Sequence, residues 1–169
     1  MKHQIQVQSY ISPCGPLILG SLGDSLCLCD WATPERGGVI RRVLRSLDAE
    51  LAEGPSEVTK EAARQLDEYF AGHRRKFDIP LLTVGTDFQQ RVWRRLQEIP
   101  YGITLSYGSL ADSLDCPGAV RAVASACGAN AMSIFIPCHR VIAASGSLAG
   151  YAGSLQAKEF LLRLETMQL

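Results

Sequence analysis

The chain has no surplus of charge of either sign: 17 Lys and Arg stand against 17 Asp and Glu in 169 residues. That balance excludes a polybasic tail holding nucleic acid or a membrane surface by charge alone. Long apolar runs are also missing. Nothing approaches the roughly 18 consecutive apolar residues of a membrane-crossing helix, and Met1-Lys2-His3-Gln4-Ile5-Gln6 lacks the apolar stretch of a secretory signal. A cytoplasmic protein without membrane contact is expected. Clustered metal ligands are absent too. Six cysteines occur, at 14, 27, 29, 116, 127 and 138, and an intracellular chain of this size does not need them as disulfides. The one loose group, Cys14, Cys27 and Cys29 with His3, lacks the usual two-residue spacer between zinc ligands. Leu26 and Leu28 alternating with Cys27 and Cys29 read more simply as a strand, so no metal and no cofactor is expected.

What is present is ordinary globular material, 47% hydrophobic and 20% charged, enough to bury a core in one or two domains. Its texture changes near Thr83-Val84-Gly85-Thr86. Residues 1–85 read as a small α/β support domain with an antiparallel sheet. Ile5, Val7 and Pro16-Leu17-Ile18-Leu19 flank turn signals, and Gly23-Asp24 is placed as a hairpin connection. Pro55-Ser56 precedes a helical run of Val58, Ala62, Leu66, Tyr69 and Phe70, with Gly72 as its stop. Arg41, Arg42, Arg45, Arg74 and Arg75 are interspersed with acids and read as a solvated surface. Residues 86–169 read as mainly helical, and the two parts form an α+β protein.

In the second part Thr86 and Gln89 make a capping box for a helix burying Phe88, Val92, Leu96 and Ile99 and ending at Pro100-Tyr101-Gly102. Ser106 caps a short helix from Tyr107 to Leu114. Asp115-Cys116-Pro117-Gly118 is turn chemistry, and Ala119 to Cys127 form another helix stopped by Gly128. Two short helices around a tight turn make a helix-turn-helix candidate. The second carries Ala119, Val120, Ala122, Val123, Ala124, Ser125 and Ala126, with Arg121 alone long and charged. Readers of major-groove base edges carry Arg, Lys, Asn or Gln. A slim face with one arginine suits close approach to the minor groove, and equally suits tight packing in a core.

Ser133-Ile134-Phe135-Ile136 reads as a short extended run delivering Pro137-Cys138-His139-Arg140-Val141-Ile142. Cationic neighbours favour the thiolate of Cys138 and so its nucleophilicity. A buried cysteine beside a solvent-facing histidine is the structural alternative. Adjacent residues of an extended chain point to opposite sides, so His139 would act on Cys138 through a water. Lys158, Leu161, Leu162 and Glu165 recur at spacings of three, four and seven, which puts a carboxylate on a buried helical face where it needs a partner. Glu165, His139 and Cys138 then form a relay in which the acid holds the imidazole as base.

These residues resemble the 6-O-alkylguanine-DNA alkyltransferases, or methylated-DNA-protein-cysteine methyltransferases. The resemblance is carried by Phe88-Gln89-Gln90-Arg91-Val92-Trp93, Ile99-Pro100-Tyr101-Gly102, Ser106-Tyr107, Ala119-Val120-Arg121-Ala122-Val123, Asn130, Pro137-Cys138-His139-Arg140-Val141-Ile142 and Gly150-Tyr151-Ala152-Gly153. Ser12-Pro13-Cys14-Gly15-Pro16-Leu17 and Tyr69-Phe70-Ala71-Gly72 match more loosely. The resemblance implies a monomer that binds double-stranded DNA carrying alkylated guanine, flips the base through the minor groove and moves the alkyl group irreversibly onto Cys138. It implies His139 as water-mediated base, Glu165 as its orienting acid, Tyr107 as donor to guanine ring nitrogen 3, and Asn130 as the tie of the turn before the acceptor. Arg121 would fill the gap left by the flipped nucleotide, with Ala119, Ala122, Ser125 and Tyr107 against the DNA. Val141, Tyr151, Ala152, Gly153 and Lys158 would line the base site.

Several positions depart from the family pattern. Ala131 and Ser133 stand where relatives often carry proline, Ala152 offers only backbone where some place serine, and Ser154 replaces a frequent glycine. The zinc ligands of some relatives are not matched by Cys14, Cys27 and Cys29. A non-catalytic binder of alkylguanine lesions, as in alkyltransferase-like relatives lacking the acceptor, is the competing expectation, and Cys138 argues against it. A Cys-His hydrolase would have no use for Arg121 among alanines.

Overall fold

Strand β1 (His3–Ser12) turns at Pro13 and Cys14 into antiparallel β2 (Gly15–Leu22), and Gly23, at φ 61°, turns β2 into antiparallel β3 (Ser25–Trp31). Helix α1 (Gly37–Ser46) then crosses over to β4 (Ala49–Glu53), which pairs parallel to β1 from His3↔Ala49 to Val7↔Glu53. The sheet order is β3-β2-β1-β4. The expected antiparallel sheet thus gains a parallel edge, because a helical crossover returns the chain in the same direction. Described are residues 1–146, 148 and 151–167 of this computed structural model, which divides into two units, Met1–Val84 and Gly85–Leu169.

In the first unit, helix α2 (Glu57–Phe70) starts from a capping box between Ser56 and Thr59. Ser56 Oγ lies 2.6 Å from Ser21 Oγ, and Thr59 donates to Gln8 Oε1 at 2.7 Å, so the cap is tied to the sheet. Ala62, Leu66 and Tyr69 are buried along the helix, and Gly72 follows at φ 80°. Every residue of β3 from Leu26 to Trp31 is buried, so Leu and Cys alternation separates two interior faces rather than an inside from an outside. Arg36 reaches back to the wholly buried Asp30, with Nε 2.8 Å from Oδ1 and Nη2 3.1 Å from Oδ2. Among the described residues no group of three or more His, Cys, Asp or Glu side chains is arranged to hold a metal.

In the second unit, helix α3 (Asp87–Leu96) begins from the Thr86 and Gln89 capping box and buries Val92, Trp93 and Leu96. The backbone passes close before it: a Cβ at Gly85 would come 2.6 Å from the Trp93 ring. Strand β5 (Leu105–Ser106) leads into α4 (Tyr107–Ser113), whose N-terminal Ser109 amide donates to Ser106 Oγ. Asp115, at φ 59°, makes the turn to α5 (Val120–Gly128). Helix α3 holds this helix pair in place. Trp93 Nε1 donates to Ala126 O at 2.8 Å, Arg91 to Leu114 O at 2.7 Å and Arg95 to Ser113 Oγ at 3.1 Å. Gly128 lies inside α5, and Ala129 rather than the glycine is its cap.

The segment leading to Cys138 differs from the expected extended run. It is a tight turn in which Ile136 N donates to Met132 O at 2.8 Å and Ile134 adopts φ 74°. A β-branched residue in the left-handed region costs about 1–2 kcal/mol. The side chain of Asn130 holds the turn from both ends, accepting from Met132 N at 2.9 Å and donating to Ile136 O at 2.9 Å. Cys138–Arg140 is a single 3-10 turn instead of a strand, followed by β6 (Val141–Ile142), which pairs parallel to β5. Helix α6 (Leu155–Met167) closes the unit and buries Ala157, Lys158, Leu161 and Glu165 on one face. Ser154 Oγ accepts from Ala157 N at 3.0 Å, so the serine that departs from the family pattern is a helix cap.

Candidate active site

The pairing of β5 with β6 fixes Ser106 against Ile142, which carries Tyr107, the next residue, to the turn holding Cys138. Cys138 is 3% exposed, and Asn130 Nδ2 points at its Sγ from 3.3 Å. The same amide nitrogen also serves Ile136 O, so one side chain shapes the turn and touches the sulfur. His139 has no solvent exposure, and its Nε2 is 2.8 Å from Glu165 Oε2. With the carboxylate ionised, Nε2–H donates and Nδ1 is left as the basic nitrogen, with no protein partner. Cys138 and His139 thus diverge from a 3-10 turn, as the extended reading also required, but for a different backbone reason.

Glu165 serves more than the histidine. Arg140 grips it as a fork, Nε to Oε1 at 2.8 Å and Nη2 to Oε2 at 3.0 Å, while Nη1 donates to Ile99 O at 2.7 Å. Gly102 N adds a longer bond to Oε1 at 3.3 Å. The Arg140 guanidinium lies 5.7 Å from the Tyr101 ring centroid. Burial opposes charge on Glu165, but bonds and charge from His139 and Arg140 outweigh it and hold the carboxyl well below the usual carboxylate range. Burial pushes the His139 pKa down, and the charges of Arg140 and Lys158 add to that against the pull of Glu165. Glu165 is therefore ionised, and burial leaves His139 neutral, with the fixed charge of Arg140 balancing the acid.

Lys158 is fully buried, and its Nζ donates to Val141 O at 2.6 Å. The ammonium lies 5.9 Å from the centroids of both Tyr107 and Tyr151. Val141 O keeps a second lone pair for another donor. Tyr151 meets His139 edge to face at 6.5 Å. Burial, then the nearby Cys127 and Cys138 sulfurs, push the Tyr107 phenol up to about 12, so it is a proton-bearing donor at neutral pH.

Cys138, His139, Glu165, Asn130, Tyr107, Val141, Tyr151 and Lys158 thus surround one place. Ala152 and Gly153 lie half-buried in the segment before α6, and Gly150 lies outside the described residues. Arg121, Ala122 and Ser125 are not part of this cluster. They are exposed on α5, with Ala119 half-exposed at its start, while Val123, Ala126 and Cys127 face inward. One helix therefore has both textures that its small residues allowed, a packed inner face and a slim outer one bearing a single arginine.

Residues 87–167 match the 6-O-methylguanine DNA methyltransferase family in its DNA binding domain, and residues 5–83 match it in its ribonuclease-like domain. The chain belongs to this family. A methylated-DNA–protein-cysteine methyltransferase of Mycobacterium leprae is 44% identical over 169 residues, covering 98% of this chain and 94% of the relative. Among solved structures, the Mycobacterium tuberculosis O6-methylguanine methyltransferase has a TM-score of 0.81 at 41% identity, covering 98% of this chain and 94% of that one. A structure of Mycobacterium tuberculosis OGT in complex with DNA has a TM-score of 0.82, with the same identity and coverage.

Within this alkyltransferase-family chain, sequence reasoning missed the grip of Arg140 on Glu165. The signal was available: a second cation follows His139 directly, and a buried carboxylate attracts every donor within reach. Cys127, whose sulfur lies close enough to Cys138 for each to influence Tyr107 and Lys158, carried no such signal.

Proposed function

We propose that this chain repairs alkylated guanine in duplex DNA by direct reversal, accepting the alkyl group from the exocyclic oxygen onto Cys138 in one irreversible transfer. The observation that carries the reading is the buried Cys138 next to a neutral His139 whose Nε2 is fixed on Glu165 at 2.8 Å. The thiol proton passes through a water to His139 Nδ1, and Sγ attacks the alkyl carbon in line. The new bond is carbon to sulfur, and the bond broken is carbon to the guanine oxygen. Its electron pair stays on the guanine, where Tyr107 donates to ring nitrogen 3 as charge develops. The proton taken by His139 is returned to the released base, so atoms and charge balance. The thioether has no route back to thiolate here, and each molecule acts once.

The exposed face of α5, with Arg121 among Ala119, Ala122 and Ser125, enters the minor groove and fills the gap when the base is flipped. Val141, Tyr151, Ala152 and Gly153 border the extruded guanine. The protein works as a cytoplasmic monomer, and needs neither metal nor cofactor. The test is to mix the protein with duplex DNA bearing one 6-O-methylguanine and to analyse its peptides by mass spectrometry. A single methyl group on the Cys138 peptide with guanine restored in the DNA is expected. Lesion binding without either product would leave the non-catalytic binder, and many turnovers per protein molecule would indicate a hydrolase.

A further inference from the structure

Three cationic side chains are buried among the described residues, and two of them have carboxylates. Arg36 has Asp30 and Arg140 has Glu165, each at 2.8 Å. Lys158, at 0% exposure the most buried of the three, has no carboxylate within ion-pair distance among the described residues. Its ammonium is instead aimed by Val141 O at 2.6 Å between two aromatic faces, each 5.9 Å away. A carbonyl and two ring faces orient an ammonium but do not neutralise it, and an uncompensated charge in such a place is expensive.

The groups facing this ammonium narrow its counter-charge. Tyr107 comes from α4, Tyr151 from the segment before α6, Cys127 from α5, and Cys138 and His139 from the acceptor turn, while Glu165 lies two turns further along the same helix. Glu165 is taken up by His139 and the Arg140 fork. Tyr107 and Cys127 hold their protons, each pushed upward chiefly by burial. Cys138 remains, three residues before the carbonyl that aims the ammonium, and its sulfur favours the charged form of Lys158.

We propose that Lys158 supplies the counter-charge of the Cys138 thiolate, a positioning role that rests on Cys138 being the alkyl acceptor. His139 receives the thiol proton, and Lys158 stabilises the anion left behind. Lining the base site, the role first expected of Lys158, is secondary to this. The Val141 contact fixes where the charge is, so that it acts on the sulfur and not on bulk water.

The test uses the whole chain without DNA. Alkylation of Cys138 by iodoacetamide is followed against pH by mass spectrometry of its peptide, which reports the thiolate directly. Lys158→Met moves the midpoint of that profile up by about 1–3 pH units, the scale of shift that loss of a nearby opposite charge produces. Lys158→Arg restores most of the shift, and Cys127→Ser leaves the profile where it was. An unmoved midpoint in folded Lys158→Met overturns the proposal, and an equal shift in Cys127→Ser reassigns the ammonium to the other sulfur and overturns it too. Should Lys158→Met not fold, the coupling is read from the other side. In Cys138→Ser the Lys158 ammonium, followed by heteronuclear NMR, titrates at lower pH than in the wild type, and an unchanged titration overturns the proposal. Failure of the repair reading is distinguishable, since it appears as no methyl on Cys138 from lesion DNA whatever the iodoacetamide profile does.

Discussion

Glu165 shows how much one buried carboxylate can organise. It fixes the ring of His139 and cancels the charge of Arg140, and both duties need it ionised. The pH dependence of stability follows from the two shifts. The His139 pKa is depressed, so the native state refuses a proton that the unfolded chain takes up near the ordinary 6.5. Its contribution is complete above that value and drains as pH falls below it. The Glu165 pKa is also depressed, so its contribution is present above the ordinary 4.5 and is lost as pH falls through the folded value. A urea midpoint that is level from pH 8 to 7, falls below about 6.5 and falls again below about 4.5 is expected by circular dichroism. A midpoint unchanged down to pH 4 would contradict the assignment. Glu165→Gln keeps the shape but leaves Arg140 charged and buried, and should cost about 3–5 kcal/mol at pH 7.

Elements with local causes were legible in the sequence. The capping box of α3, the Ser106 start of α4 and the Gly23 hairpin each depend on residues within three or four positions, and each is found. The acceptor turn was not legible, because its shape is set by Asn130 reaching Met132, Ile136 and Cys138, against the β preference of Ile134. Strand β4 and the Asp30–Arg36 pair also depend on partners that no local pattern specifies. The pairing of Glu165 with His139 was readable from helical spacing, since an acid on a leucine face must be matched. The outer face of α5 gives a test at this scale. Arg121 is exposed and contributes nothing to the core, so Arg121→Ala should melt at the wild-type temperature. It should take methyl groups from the free base 6-O-methylguanine at the wild-type rate, yet react about 10- to 100-fold more slowly with lesion duplex, where the few kcal/mol of flipping must be met. Equal loss on both substrates would remove Arg121 from the DNA face.

For the whole molecule, charge decides how DNA is found. The 17 basic and 17 acidic residues divide almost evenly, 10 and 11 before Gly85 and 7 and 6 from it onward, so neither unit carries a field that would hold a phosphate backbone from a distance. The exposed basic residues of the second unit, among the described residues, are Arg91, Arg94, Arg121 and Arg163. Arg91 already donates to Leu114 O, and Arg163 is 2.7 Å from Glu159. Counterion release contributes a slope of about −0.9 in log affinity per phosphate neutralised. Two to four contacts therefore give a slope between about −2 and −4 when lesion-free duplex is titrated against salt. A slope steeper than about −6 would require a basic surface that the charge distribution does not provide. Shallow dependence has a functional consequence: undamaged DNA is held weakly and released quickly, and discrimination falls to the step at which a base leaves the stack and meets Cys138. A protein that can react only once loses nothing by binding undamaged DNA loosely, provided Cys138 is kept in a buried site until the right base arrives.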